Sequence, residues 1–224
     1  MSTFLELQDQ TIAELTSLLQ VDSALLPRTL VKAWINDGYT AVQSAQIWPW
    51  SIKDGTDTLT IASTSLSPPA DFGAMLGAYN TTAGREMVFI DSRQAWTENE
   101  DDISASVTHY RRVGNTWTVW PTPDAAEVIK MRYVYIWTAL SADADVPVMP
   151  ALYHRILRDY AAMRGCTRLS AAQPTNEAAQ LGQSLYRRFW EEGLTDMKAS
   201  WATDETLDAV YSHTIQAEIY NYDW

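Results

Sequence analysis

The sequence predicts an α+β fold. Helices from both ends of the chain form an α-helical bundle that carries an inserted antiparallel β domain, and an extended C-terminal arm follows. Apolar residues recur at helical spacing in 1–50 and 141–200. Short alternating segments bounded by turn residues fill 51–140, and residues 201–224 contain no Lys or Arg. We therefore expect bundle helices in 1–50 and 141–200, the β domain in 51–140 and the arm in 201–224.

Two helices are expected in the N-terminal part. Thr11 and Glu14 match a capping box, which predicts a helix start at Thr11. Pro27 suits the first turn of a second helix, which should run to about Gln46. Because Asp37-Gly38 lies inside the apolar stripe of that second helix, the pattern leaves open a kink or break there.

The central part contains several short strands at hairpin spacing with no helix between them, which favours an antiparallel sheet or a small sandwich. Lys53-Asp54-Gly55-Thr56 is typical of a turn between two of these strands. Val113-Gly114-Asn115 is typical of a hairpin turn. Strands are predicted at Thr58–Ala62, Arg85–Ile90, Ser106–Arg112, Thr116–Trp120 and about Glu127–Trp137.

Two further helices are predicted after residue 141, each opened by a proline at its first turn. Pro150 begins the first of them and Pro174 the second. Their apolar faces are predicted to pack in the bundle. The first contains Leu152, Ile156 and Tyr160 with Tyr153, Leu157 and Ala161 beside them, and the second contains Leu181, Leu185, Phe189 and Trp190.

Composition excludes several classes of protein. The 224 residues carry a net charge of −12, which disfavours general binding to nucleic acids or to anionic membranes. The single cysteine, Cys166, rules out an intrachain disulfide and a cysteine-rich zinc site. The first ten residues do not match a secretory signal, and no apolar run reaches the length of a membrane span. We expect an intracellular, reduced and soluble chain.

Aromatic usage is skewed, with 10 Trp and 11 Tyr but only 4 Phe. Trp and Tyr combine a large apolar surface with a polar group, so they suit half-buried surfaces and interfaces. Compositional drift explains the skew equally well, and the sequence does not decide between the two interpretations.

The arm combines acidic residues with large apolar residues. An acidic terminal segment is usually disordered, but a segment ending in large aromatic rings gains by burying them. We expect a docking arm, with a frayed end or a strand added to the chain's own domain as the alternatives. The candidate interface residues are Tyr211, Ile215, Ile219, Tyr220, Tyr222 and Trp224.

Signals for catalysis are weak, and we predict no catalytic, cofactor-binding or metal-binding residue. The three histidines have no metal-ligand spacing, and Cys166 has no catalytic partner motif. Two acidic clusters, Glu98 to Asp102 and Asp143 with Asp145, suggest a cation site or a carboxylate pair, but a solvated loop explains each more simply. The histidines are His109, His154 and His213.

The order of several segments resembles the head–tail connector (adaptor or neck) proteins of tailed bacteriophages. The resemblance covers about residues 27–198. It rests on Trp48-Pro49-Trp50, Pro69-Ala-Asp-Phe72, the strand Thr116–Trp120 with Pro121-Thr-Pro123-Asp124, the strand with Tyr133, Tyr135 and Trp137, and the segment Leu140–Leu157.

This resemblance implies a helical bundle with a β insertion that assembles into a ring, commonly of twelve copies, beneath the portal. Such a ring completes the head after DNA packaging and presents a surface for tail attachment. The expected partners are the portal protein, a tail or nozzle protein and further copies of the chain. DNA would pass the channel without specific binding, no membrane is involved, and C-terminal extensions can dock on the portal.

We therefore expect a structural, non-enzymatic virion protein at the neck of the particle, assembled in the host cytoplasm. One alternative is a carbohydrate-binding module or glycan hydrolase that uses Trp and Tyr surfaces with paired acids, for which Glu98 and Asp101 would be the residues to test. The other alternative is a different tail component of the same particle.

Overall fold

The structure, a computed structural model, describes residues 2–20, 25–90, 103–104 and 106–201. It confirms the α+β class, with four α-helices and a large mixed sheet. The chain divides into two compact units. Among the described residues, the helical unit comprises those up to Trp50 together with 137–201, and the β unit comprises those within Ser51–Ile136.

The first helix, α1, spans Phe4–Leu19 and begins earlier than the sequence predicts. Its capping box is Thr3 with Glu6, because the Thr3 hydroxyl accepts from the Glu6 amide and the Glu6 carboxylate accepts from the Thr3 amide. The predicted cap at Thr11 is wrong. Thr11 lies buried in the middle of α1, where its hydroxyl donates to the Leu7 carbonyl over 2.7 Å.

The second helix, α2, spans Arg28–Ala45 with Pro27 at its N-cap, and it continues without a break through Asp37-Gly38. A Cβ atom at Gly38 would lie 2.9 Å from the Tyr160 ring. The glycine therefore serves a close approach between helices rather than a kink. Beyond α2, Trp48 is fully buried and its indole nitrogen donates to the Val42 carbonyl over 2.7 Å.

The C-terminal helices are α3, His154–Ala172, and α4, Glu177–Ser200. A short 3₁₀ turn, Ala151–Tyr153, follows Pro150. The side chain of Asn176 caps α4 by accepting from the Ala179 amide, so the helix begins three residues later than the predicted start at Pro174. Helix α3 packs against all three other helices of the unit.

Nine strands lie in the described part of the β unit, seven of them in one sheet with the order β1-β9-β3-β4-β6-β7-β2, while β5 and β8 pair separately. All pairings in the large sheet are antiparallel except β4 with β6, which are parallel. The strands are β1 Ile52–Leu59, β2 Ser65–Leu66, β3 Phe72–Asn80, β4 Arg85–Phe89, β5 Ile103–Ser104, β6 His109–Val113, β7 Thr116–Trp120, β8 Thr122–Pro123 and β9 Glu127–Tyr135.

The expectation of a purely antiparallel β domain is therefore wrong at two pairings, because β4 with β6 and β5 with β8 are both parallel. A long connection separates β4 from β6, and such a crossover lets the chain return in the same direction. The predicted turn at Lys53–Thr56 is also wrong, because these residues lie inside β1. Asp54 pairs there with Lys130 at 2.8 Å and with Arg132 at 3.0 Å on the neighbouring β9. These cross-strand ion pairs favour a strand where the local residue types favour a turn.

The interior of the β unit is one apolar cluster built from most strands of the sheet. The rings of Phe72 and Phe89 pack against Trp117 at its margin, with centroid distances of 6.0 and 6.3 Å. The cluster contains Leu59, Leu66, Met75, Ala78, Met87, Val107, Tyr110, Trp117, Val119, Ile129 and Met131.

A buried polar network holds one end of this core. The Glu127 carboxylate accepts from the Asn80 side-chain amide over 2.7 Å and from the Val107 backbone amide over 3.0 Å. Asn80 also donates to the Val107 carbonyl over 3.1 Å. All three residues are buried, so each of these groups depends on the others for hydrogen bonding.

Replacing Glu127 by Ala should lower the free energy of unfolding by about 2–4 kcal/mol, because two buried donors lose their acceptor. The amide protons of 106–108 should then exchange faster with solvent, as hydrogen-exchange mass spectrometry would measure. The exposed Asp124 offers the matched control, since Asp124→Ala should leave both quantities nearly unchanged. If the amides of 106–108 exchanged at equal rates in the unmodified chain, in Glu127→Ala and in Asp124→Ala, the network would not stabilise this end of the core.

Candidate interaction surfaces

Helix α4 presents an apolar face to solvent, and here the structure corrects the sequence. Leu181 is 69% exposed and Leu185 is 44% exposed, although both were predicted to face the core. The buried side of α4 consists instead of Ala179, Gly182, Tyr186 and Met197. Helical spacing identifies the stripe with Leu181 and Leu185 as apolar. It does not show that the stripe of smaller residues with Ala179 and Gly182 is the one that faces the core.

A groove lies between the start of α3 and the end of α4, with a volume of about 700 Å³. Leu152 at its rim is 80% exposed, so the prediction that Leu152 is buried is also wrong. The reason is that Leu152 lies in the 3₁₀ turn ahead of α3, outside the helical face that Ile156 belongs to. The Arg155 guanidinium lies over the Phe189 ring, 5.5 Å from its centroid, in the same groove.

Asp159 lies in the wall of this groove and is almost entirely buried. Its two oxygens pair with Arg155 at 3.3 Å and with Arg158 at 3.1 Å, and Arg158 also pairs with Glu14 of α1 at 3.0 Å. Burial raises the pKa of Asp159, against the opposing effect of the two arginines. These charges connect α1 with α3, and we assign them a structural role.

Many of the Trp and Tyr residues stabilise their own unit. The rings of Tyr39 and Trp137 are 4.7 Å apart, and those of Tyr160 and Trp190 are 4.9 Å apart. The Tyr39 hydroxyl accepts from the Val148 amide over 2.9 Å. These rings pack within the fold, and the Tyr39 hydroxyl is also used there, so the excess of Trp and Tyr is not by itself evidence of an interface.

The loop that contains Asp143 and Asp145 caps α1. The Asp145 carbonyl accepts from the Phe4 amide over 2.7 Å, and the Asp143 carbonyl accepts from the Leu5 amide over 3.0 Å. The Asp145 carboxylate accepts from the amides of Ser141 and Ala142, which lowers its pKa. The acids that suggested a cation site thus fix a loop onto the free amides at the start of a helix.

His154 and Cys166 are structural residues. His154 is buried, with Nδ1 accepting from the Ser2 amide over 3.3 Å and Nε2 lying 3.0 Å from the Met149 carbonyl. Burial lowers the pKa of His154 and raises the pKa of the Cys166 thiol to about 11, so the thiol is a poor nucleophile. His109 lies against the Trp120 ring and beside the Thr108 hydroxyl.

The remaining sequence-based candidates fall outside the described residues. They are the acidic segment Glu98 to Asp102, His213 and the proposed interface residues of the arm, from Tyr211 to Trp224. Among the residues that the structure does describe, no group of three or more His, Cys, Asp or Glu side chains could hold a metal ion. No helix in that part of the chain is long and apolar enough to cross a membrane.

A comparison with protein families decides the class. The model of the SU10 adaptor protein family matches residues 2–212. The chain belongs to the SU10 adaptor protein family. The resemblance to phage head–tail adaptors is thereby confirmed, and this adaptor is a structural component of a phage particle. A search of the curated proteins finds no match.

The buried His154 should make the adaptor less stable in mild acid. Because its pKa lies below the ordinary value of 6.5, the unfolded chain binds more protons than the folded chain as pH falls through that value. This contribution to stability is therefore present above about pH 6.5 and is lost as pH falls. Urea midpoints from far-ultraviolet circular dichroism should fall between about pH 7 and about pH 5.

His154→Asn should show a shallower decline over the same range, since asparagine does not titrate. Identical slopes for the variant and the unmodified adaptor would show that other groups cause the acid sensitivity.

Proposed function

We propose that this adaptor forms a ring beneath the portal at the capsid vertex, completes the head after DNA packaging and provides the surface to which the tail attaches. The observation that carries the proposal is the family match across residues 2–212. The position is the neck of the virion, the role is structural, and assembly takes place in the host cytoplasm. The partners are the portal protein, a tail or nozzle protein and further copies of the adaptor.

Exposed apolar residues on the helical unit support a role in assembly. A monomer gains nothing by exposing Leu152, Leu181 and Leu185, whereas a subunit buries such residues against its neighbours. About twelve copies per ring is the number that the resemblance implies. A ring needs two different contact faces on each subunit, and helices on several sides of one bundle provide them.

The net charge supports passage of DNA without retention. Each copy carries −12, and a ring of acidic subunits repels the phosphate backbone wherever its carboxylates face the channel. This suits a protein through which DNA moves and which has no need to bind a particular sequence.

We also propose that the arm, residues 201–224, docks on the portal through Tyr211, Ile215, Ile219, Tyr220, Tyr222 and Trp224. Its sequence supports this, because five acidic residues and several large apolar residues occur there with no Lys or Arg. In this proposal the bundle comprises 1–50 with 141–200, and the β insertion comprises 51–140.

Mixing the purified adaptor with its portal should yield a ring on the portal, which electron microscopy would show. The variant Tyr220→Ser, Tyr222→Ser, Trp224→Ser should keep the circular dichroism and melting temperature of the unmodified adaptor but bind the portal at least about tenfold more weakly. Removal of residues 205–224 should likewise leave the fold intact and weaken binding to the portal.

A matched control replaces three exposed residues of the helices, Thr29, Ser44 and Thr195, by alanine and should bind normally. Failure of the unmodified adaptor to associate with the portal would refute the proposed function. A shortened chain that aggregates would show instead that the arm belongs to the folded core.

A further inference from the structure

We infer that the adaptor, before it meets the portal, is a two-fold dimer in which an apolar band on the helical unit covers the same band of a second copy. The band, called here the leucine band, runs along one side of α4. Its members are Leu18 of α1, Leu181, Leu185 and Phe189 of α4, and Leu152 ahead of α3. The inference goes beyond the proposed ring, because it concerns the adaptor in the absence of its partners.

The leucine band is continuous from one end of α4 towards the other. A Cβ atom at Gly182 would lie 3.1 Å from a methyl carbon of Leu18, so α1 meets α4 at the first end. The three members on α4 follow at four-residue intervals and therefore share one side of that helix. Phe189 and Leu152 line the same groove at the other end. An exposed apolar surface of this extent marks an interaction site.

The two ends of the band have different shapes. At one end Leu18 and Leu181 project as a ridge, with Leu181 69% exposed. The other end is the groove of about 700 Å³ between the start of α3 and the end of α4. Gly193 lines this groove without a side chain, close enough to Ile156 that a Cβ atom there would lie 3.0 Å from it. One end thus offers a protrusion, and the other a depression large enough for a leucine.

A two-fold axis places ridge on groove twice. When the α4 helices of two copies lie antiparallel, Leu181 of each copy lies over Gly193 of the other. Leu185 of each copy then lies beside Phe189 of the other, near the middle of the contact. Both ends of both bands are covered in this one arrangement, which is the self-complementarity that an isologous contact requires.

No other helix of the described residues offers a comparable apolar surface. Among the large apolar side chains outside the band, α1 exposes only Leu5, and α2 and α3 expose none. An apolar surface gains most when it is covered by another apolar surface, because both are then removed from water. On the described helices, the surface that matches the leucine band is therefore the band of a second copy.

The charged side chains beside the band do not oppose this contact. Arg188 pairs with Glu192 at 2.6 Å, and Arg155 pairs with Asp159 at 3.3 Å, so these charges are balanced within each copy. Asp196 lines the groove and has no ion-pair partner among the described residues. In the antiparallel arrangement the two Asp196 side chains are about 27 Å apart, well beyond the screening length of about 8 Å at physiological ionic strength.

The area of the contact reaches that of a specific interface. The band and its groove follow α4 from Leu181 to Ser200, which is about 28 Å at 1.5 Å per residue, and two helices side by side present a face about 20 Å wide. A face of these dimensions buries about 600 Å² per copy once the relief of its side chains is included. The dimer then buries about 1,200 Å², the lower limit for a specific, stable interface.

A dimer of this kind limits assembly. An isologous contact uses the same surface on both copies, so it closes at two copies and does not propagate around a ring. The dimer therefore has to open before its subunits enter the proposed ring, and the leucine band then becomes available to neighbours in the ring. Until that point the dimer keeps the exposed leucines covered and holds back ring formation.

The first test compares three full-length variants by sedimentation velocity. Leu185→Glu places a carboxylate in the middle of the band, and Leu185→Met keeps that position apolar. Gln183→Glu is the matched control, because it adds the same charge on nearly the opposite side of α4. All three new residues favour helix, so circular dichroism should not change. Leu185→Glu should raise the dimer dissociation constant at least about tenfold, whereas the other two variants should dimerise like the unmodified adaptor.

Disulfide trapping tests the antiparallel arrangement. Copies with Leu181→Cys, mixed under mild oxidation with copies carrying Glu192→Cys in the groove, should form a crosslinked dimer at least about tenfold more than either variant forms alone. The buried Cys166 stays unreactive in both. The crosslinked dimer should join a ring on the portal only after reduction.

A monomeric adaptor at every concentration would overturn the inference. If removal of residues 205–224 then produced the dimer, the arm would be what covers the band in the full chain. A crosslinked dimer that enters the ring without reduction would also overturn the inference, because opening would not be needed. A dimeric adaptor that never binds the portal would overturn the proposed function alone.

Discussion

The close approach of α3 to its neighbours is the constraint on which the helical unit depends. Small residues make it feasible: a Cβ atom at Gly165 would lie 2.5 Å from a methyl carbon of Leu15, and one at Gly182 would lie 2.8 Å from the Cys166 sulfur. Packing at this distance leaves no room for a larger side chain at Gly182, on the side of α4 that faces α3. The leucines of α4 therefore lie outside, and the surface that we assign to assembly follows from the packing of the core.

Several polar residues that could suggest a catalytic or binding site instead stabilise the packing of the helical unit. The side chain of Asn36 exchanges two hydrogen bonds of 2.9 Å with the backbone of Leu140, and Lys32 pairs with Asp143 in the same loop. The loop is thereby held where its carbonyls cap α1. His154 and Asp159 likewise use their hydrogen-bonding and charged groups within the fold. These titratable groups thus stabilise the fold of the subunit, which suits a protein that works by assembly.

The two units satisfy a buried carboxylate in different ways. In the β unit a carboxylate, Glu127, is buried and binds a side-chain amide and a backbone amide. In the helical unit the buried carboxylate, Asp159, is balanced by arginines. A buried charge is tolerated only where such partners exist, so each of these sites stabilises one arrangement of its neighbours.

The sequence by itself determined the α+β class, the two C-terminal helices, the hairpin around Gly114 and the family, because these follow from periodicity, turn residues and the order of segments. It did not determine the start of α1, since Thr3-Glu6 and Thr11-Glu14 are equally good capping boxes in the sequence. The direction in which Leu181 and Leu185 face, and the strand at Asp54, were decided only by the tertiary structure. Both depend on partners distant in sequence, Cys166 of α3 against Gly182 and the cations of β9 against Asp54, which no local pattern contains.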